Sequence, residues 1–179
     1  MATIMEKLHI DHKNLGKLLG FLTNTLRQLE NYEECDLKSL SDALRYMKNY
    51  PDCIHHPLEN EVFIYYKDHH NDIIPQIENL LHEHDTLPPL TERLATIVDS
   101  ALAGDPQSRD VLCHTLRDYI DIQNEHMNLE ESMVYPKINT VLDEQEWNKI
   151  NTELALREDP LFGQQVEQSY KALLHRIFT

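Results

Sequence analysis

Glycine and proline are scarce in this chain of 179 residues, at 4 and 8, and the turn density of a sheet protein is missing with them. Val and Thr are also few, whereas Leu, Ile, Glu, Asp, Asn and Gln abound, which predicts an all-α protein. Basic residues are few too: Lys and Arg total 16 against 31 Asp and Glu, a formal charge of −15. The acid is spread along the chain, which argues against nucleic acid or an anionic membrane as partner. The three cysteines, Cys35, Cys53 and Cys113, are odd in number, far apart and without a Cys-x-x-Cys pair, so they make no disulfide frame and read as reduced, structural thiols. No apolar run approaches the roughly 20 residues that span a bilayer, and Met1 to Asp11 is charged early and carries no signal-like segment. The expectation is a soluble cytoplasmic protein with one domain's worth of core.

Apolar residues at Ile4, Leu8, Leu15, Leu18, Leu22, Leu26 and Leu29 have the three-and-four spacing of an amphipathic helix. A second helical stretch runs from about Leu37 to Lys67, split or bent near Pro51. Asn71 and Asp72 offer an N-cap to a third, with Pro75 in its first turn and Gly104, Asp105 and Pro106 ending it after Ala103. Pro88 and Pro89 lie inside it, and the Pro88 ring would meet the His84 carbonyl, so a kink or break is expected there. The fourth helix runs from about Gln107 to Asn139, bent at Pro136. Short polar connections predict an antiparallel up-down four-helix bundle over residues 1–141. Residues 142–179 form an extension of two shorter helices, separated by Glu158 to Leu161, that packs on the bundle.

Two segments share the pattern His-x-x-Leu-Glu: His55 to Glu59 and His126 to Glu130. Residues four apart share a helix face, so each segment aims an imidazole and a carboxylate at one point. Imidazole suits iron, copper or zinc, and a carboxylate can neutralise and bridge two cations. Two such helices therefore specify a two-metal site, to which His12 and His84 can add a ligand each. A single His-x-x-x-Glu is common on exposed helices, and His114 with Asp118 is such a pair, pointing away from the His126 face. A ferritin-like site would need Glu-x-x-His on two helices, and only Glu6 with His9 has that spacing. Structural zinc is disfavoured because no cysteine lies near these histidines with finger-like spacing.

Together, Leu-His-Ile-Asp-His-Lys-Asn at His12, His-His-Pro-Leu-Glu-Asn-Glu at His55, Leu-His-Glu-His-Asp at His84 and Glu-His-Met-Asn-Leu-Glu-Glu at His126 closely resemble the hemerythrin-like (HHE cation-binding) family. The likeness covers residues 2–140. It implies a four-helix bundle around two non-haem iron ions with an oxo or hydroxo bridge, His12, His55, His84 and His126 as terminal ligands, and Glu59 and Glu130 as bridging carboxylates. Glu131 would suit the one-residue-longer spacing of oxygen carriers, whereas the internal match to Glu59 favours Glu130. His56, with Asn60 rather than a carboxylate four residues on, is placed behind the ligands. The third helix departs from the carriers, which offer two histidines four apart: His84 is flanked at those positions by Leu80 and Pro88. One iron would then be more open, or be completed by water, His9 or His82.

Phe63, Tyr65, Tyr66 and Tyr135 read as core aromatics, and Cys53 as a small buried residue. The resemblance implies a cytoplasmic oxygen-binding carrier, store or sensor. The alternative is a stress protein or enzyme that reacts with peroxide or nitric oxide or repairs iron centres. A third class, a metal-free interaction module, would bind less than about one iron per chain. The expected partner is a small diatomic or peroxidic ligand.

Overall fold

The computed structural model describes residues 3–71, 74–105 and 108–179, and among them every regular element is helical. Helix α1 spans Ile4–Glu30, started by a capping box in which Thr3 and Glu6 satisfy each other's backbone N–H groups. Helix α2 spans Leu37–Asn49, with the Asp36 side chain capping the Ser39 N–H. A π turn at Pro51–His55 then leads into α3, His56–His69, which is where Pro51 predicts a split.

Helix α4 spans Pro75–Leu102 with Pro75 in its first turn. Its N-cap is Ile74, not Asn71, and Asp72 lies outside the described residues. No break occurs at Pro88 or Pro89. The buried stripe Leu80, His84, Leu87, Thr91, Leu94 and Val98 continues through them, and packing of α4 on α2 and on a fifth helix outweighs the lost backbone hydrogen bonds. That fifth helix, α5, spans Ser108–Leu129, and the expected start at Gln107 lies outside the described residues. A second π turn, Glu130–Val134, precedes α6, Tyr135–Val141, so the fourth helix departs from α geometry just before Pro136. Helix α7, Glu144–Glu153, and α8, Lys171–Ile177, follow. The stretch between them is far longer than the expected break at 158–161, because Asp159 turns the chain by accepting from the backbone N–H groups of Leu161 and Phe162.

The core has two apolar parts. One holds Ile4, Met5 and Leu8 of α1, Val62, Phe63 and Tyr66 of α3, Ile77 and Leu80 of α4, and Val134, Tyr135 and Ile138. The other holds Leu15 to Leu29 of α1, Leu40 to Tyr50, Leu94 and Val98 of α4, Leu112 to Ile120 of α5, and Leu173 of α8. Between these parts, each of the four passes of chain carries buried polar residues: His12, then His55, His56 and Glu59, then His84, then His126 and Glu130. The chain runs from the first part to the second along α1, back along α2 and α3, out again along α4, and back along α5 and α6.

Both π turns are legible in the burial pattern. In an α-helix the stripe Leu40, Ala43, Leu44, Met47 would recur about every 3.6 residues. Beyond Pro51 the buried positions are His55, His56, Glu59, Val62, Phe63 and Tyr66, one residue later than that period predicts. The wide turn, closed by the His55 N–H on the Tyr50 carbonyl, absorbs the extra residue. The same delay follows Glu130, where the Tyr135 N–H reaches the Glu130 carbonyl.

Candidate metal centre

Five histidine rings and two carboxylates fill the polar layer. Glu59 and Glu130 are fully buried, and His12, His55, His56, His84 and His126 are nearly so. Glu59 Oε1 lies 3.4 Å from both His12 Nε2 and His55 Nε2, while its Oε2 lies 3.4 Å from His84 Nε2. Glu130 mirrors it, with Oε2 at 3.3 Å from His12 Nε2 and Oε1 at 3.4 Å from His84 and His126 Nε2. Each carboxylate thus divides its oxygens between two groups of nitrogens. The donor atoms of His12, His55 and Glu59 lie within 4.8 Å of one another, as do those of His56, His84, His126 and Glu59.

Oxygen atoms outside the layer fix which nitrogen points in. His12 Nδ1 bonds Glu131 at 2.9 Å, His55 Nδ1 bonds Asp11 at 3.3 Å, His84 Nδ1 bonds Asn60 Oδ1 at 2.6 Å and His126 Nδ1 bonds Glu83 at 2.7 Å. His56 Nδ1 faces the buried Asp52 carboxylate at 3.6 Å. Each Nδ1–H donates to a carboxylate or amide oxygen, which leaves the Nε2 lone pair pointing inward, the arrangement that orients metal-bound imidazoles. His84 Nε2 and His126 Nε2 then face each other at 3.1 Å, acceptor to acceptor. Glu59 Oε2 and both oxygens of Glu130 are buried with no hydrogen-bond donor. Lone pairs and anionic oxygens converging with no proton between them fit a cation pair in the layer, and nitrogen with carboxylate oxygen is a donor set suited to iron.

Where no cation neutralises these oxygens, they favour protonation of the histidines beside them. Burial opposes charge on His12, but Glu130, Glu131 and Glu59 outweigh it and raise the His12 pKa well above the ordinary value. His126 is raised in the same way, with Glu130 and Glu83 overcoming burial. Burial also opposes charge on Glu59, yet His55, His12 and His84 hold its carboxyl well below the usual range. His56 goes the other way: burial, with His84 beside it, pushes its pKa well down and keeps it neutral.

The six residues expected as ligands, His12, His55, Glu59, His84, His126 and Glu130, are all brought to this layer. His56, expected behind it, stands in it, its ring stacked on His84 at 4.5 Å. Glu131 lies outside, bonded to His12 and to His9 Nδ1 at 2.8 Å, so His9 reaches no carboxylate of the layer through that nitrogen. His82 is exposed, and so is the His114–Asp118 pair at 3.4 Å. Cys53 is exposed rather than buried, while Cys35 and Cys113 are partly buried, and all three are free thiols. Tyr135 is buried as expected, but its hydroxyl donates to Glu59 Oε1, a contact for which the sequence has no signal. Surface pockets of about 810 and 240 Å³ reach His12 and His55 respectively.

A chain of polar contacts extends from His55 to the C-terminal segment. Asp11, which holds His55, accepts from the Tyr50 hydroxyl at 3.2 Å; the Tyr50 ring stacks on Tyr46 at 5.7 Å, and the Tyr46 hydroxyl bonds Asp159 at 3.0 Å. Leu154, Ala155 and Arg157 wall the pocket beside His55.

Residues 3–138 match the family model described as the hemerythrin HHE cation binding domain. Uncharacterized proteins of Mycobacterium tuberculosis and Mycobacterium bovis are 23% identical over 169 residues, covering 94% of this chain. The chain spans 66% of the length of those curated relatives. No solved structure matches it. Among the described residues, no helix is long and apolar enough to cross a membrane.

Proposed function

The chain belongs to the hemerythrin HHE cation-binding domain family, a metal-binding family, and we propose that it holds two non-haem iron ions and binds oxygen as a cytoplasmic carrier, store or sensor. The observation that carries this reading is the inward convergence of histidine Nε2 atoms on carboxylate oxygens that have no donor. His12 and His55 would hold one ion, His56, His84 and His126 the other, and Glu59 and Glu130 would bridge the two, each through both its oxygens. The four passes of chain would form an antiparallel up-down bundle, supported by their alternating course between the two apolar parts, with residues 142–179 packed on it as an extension.

A ferrous pair supplies two electrons to a small oxidant. The chain's own part is to orient and to exclude. Asp11, Glu131, Glu83 and Asn60 hold the rings by Nδ1 and so orient Nε2 toward the layer. Apolar layers on both sides keep bulk water out. The two pockets reach the half with His12 and His55, which is the side from which a diatomic ligand would approach.

That access also favours a second reading, a protein that reacts with peroxide or nitric oxide at the ion the pockets reach. Anaerobic iron reconstitution with metal counting, followed by optical spectra over cycles of oxygen addition and removal, tests both. About two irons per chain with a band that appears and disappears reversibly supports oxygen binding; two irons that oxidise once and do not recover support the second reading. Less than about one iron per chain refutes both.

A further inference from the structure

Tyr135 is 1% exposed, and its ring lies parallel to that of His12, 5.3 Å between centres and 8° between planes. His9 meets the ring edge-on at 5.5 Å, and Phe63 packs at 6.5 Å. So enclosed, the ring has one place for its hydroxyl, which donates to Glu59 Oε1 and stands 3.4 Å from His12 Nε2. We propose that the Tyr135 oxygen is a ligand atom of the ion held by His12 and His55. The inference rests on the two-ion site of the proposed function and adds a donor to it.

Three observations support it. First, the spacing is that of donors sharing one cation: with bonds of about 2.0–2.2 Å, neighbouring ligands sit roughly 3 Å apart. The Tyr135 oxygen is as far from His12 Nε2, 3.4 Å, as Glu59 Oε1 is from either His12 or His55 Nε2. Second, the donor count is uneven without it. His56, His84 and His126 face one half of the layer and only His12 and His55 the other, with Glu59 and Glu130 common to both; Tyr135 brings the halves level. Third, the backbone makes a special provision. The π turn at Glu130–Val134 delays the buried stripe by one residue, so that Glu130 and Tyr135 both face inward.

In the metal-free chain a proton lies between the Tyr135 and Glu59 oxygens. With iron bound, Tyr135 would give up that proton to solvent and offer its oxygen as a phenolate beside the Glu59 carboxylate, in keeping with proton release on metal binding. A hard anionic oxygen favours the ferric over the ferrous ion. Tyr135 therefore biases the pair toward oxidation that is not reversed by removing oxygen, which is the second reading above.

Resonance Raman spectra of the full chain, loaded anaerobically with ferrous iron and then oxidised, test this. The expected result is a set of phenolate ring modes enhanced within a visible charge-transfer band, both lost in Tyr135→Phe and both retained in Tyr65→Phe. Site-specific 3-fluorotyrosine at position 135 should shift those modes, which decides the matter should Tyr135→Phe fail to fold. Two bound irons with no phenolate modes overturn the ligand assignment and leave the iron site standing. Modes that survive Tyr135→Phe, or ignore the fluorine, also overturn it. Absence of bound iron overturns the iron site and the ligand assignment together.

Discussion

Stripping the metal should give the protein a stability that falls as pH rises, with a slope set by the histidines of the layer. His12 and His126 have folded-state pKa values raised above 6.5 by the carboxylates around them. A raised histidine binds its proton more tightly in the folded state, so its contribution is fully present below the unfolded value of about 6.5 and is lost as pH climbs through the folded value. Each group can cost up to about 1.4 kcal/mol per pH unit in that window, and the two together up to about 2.7 kcal/mol. At about 2–4 °C per kcal/mol for a chain of this size, Tm should drop by about 5–11 °C for each unit above pH 6.5. In the loaded protein the Nε2 atoms are occupied and cannot titrate, so the slope should vanish; each site filled at 100 times its Kd adds about 2.7 kcal/mol besides. Scanning calorimetry of chelator-stripped and anaerobically loaded protein at pH 6.5, 7.5 and 8.5 measures both. Glu130→Gln removes a main cause of both raised values and should flatten the metal-free slope, which separates this effect from the growing net negative charge. A metal-free Tm that is flat or rises over that range refutes the reasoning.

Removing the His56 ring in His56→Ala should empty one half of the site, taking iron from about two to about one per chain by metal analysis; full loading would return His56 to a supporting role. Glu83→Gln and Glu131→Gln, which weaken the hold on His126 and His12, should each cost about 10–100-fold in metal affinity by chelator competition, with little change in helical content. Burial pushes Asp52 up to about 6, partly offset by Thr91 and Lys48, so the folded state disfavours its charge and loses stability as pH rises from about 4 through 6. Asp52→Asn should therefore stabilise the metal-free protein by up to about 3 kcal/mol at pH 8 and by nothing below pH 4, as read by urea denaturation.

Part of this molecule is readable because the helix makes some spacings unconditional. His55 with Glu59 and His126 with Glu130 share a face in any helix, and the apolar run of α1 shows which face of His12 is buried. His56 and Tyr135 were not readable as members of the layer, because each faces inward through a π turn, and nothing in Pro51–His55 or Glu130–Val134 announces one. Propensity misleads at Pro88, where packing on two sides carries α4 through a residue that would end an isolated helix. Residues 154–170 are hard to read for the opposite reason: the chain there follows tertiary contacts such as Asp159 to Tyr46 rather than any periodic pattern. Cys53 lies off the buried stripe of α2 and is exposed, which its residue type alone does not indicate.

The division of the core bears on how the molecule acquires its shape. Each of the four passes contributes side chains to the first apolar part, to the polar layer and to the second. Neither part can therefore be completed by a contiguous piece of sequence, and closing either one requires residues from the first helix to meet residues more than a hundred positions later. Such long-range closure is slow and leaves few partial structures worth populating. Both ends of the helices should accordingly gain protection from hydrogen exchange together during refolding.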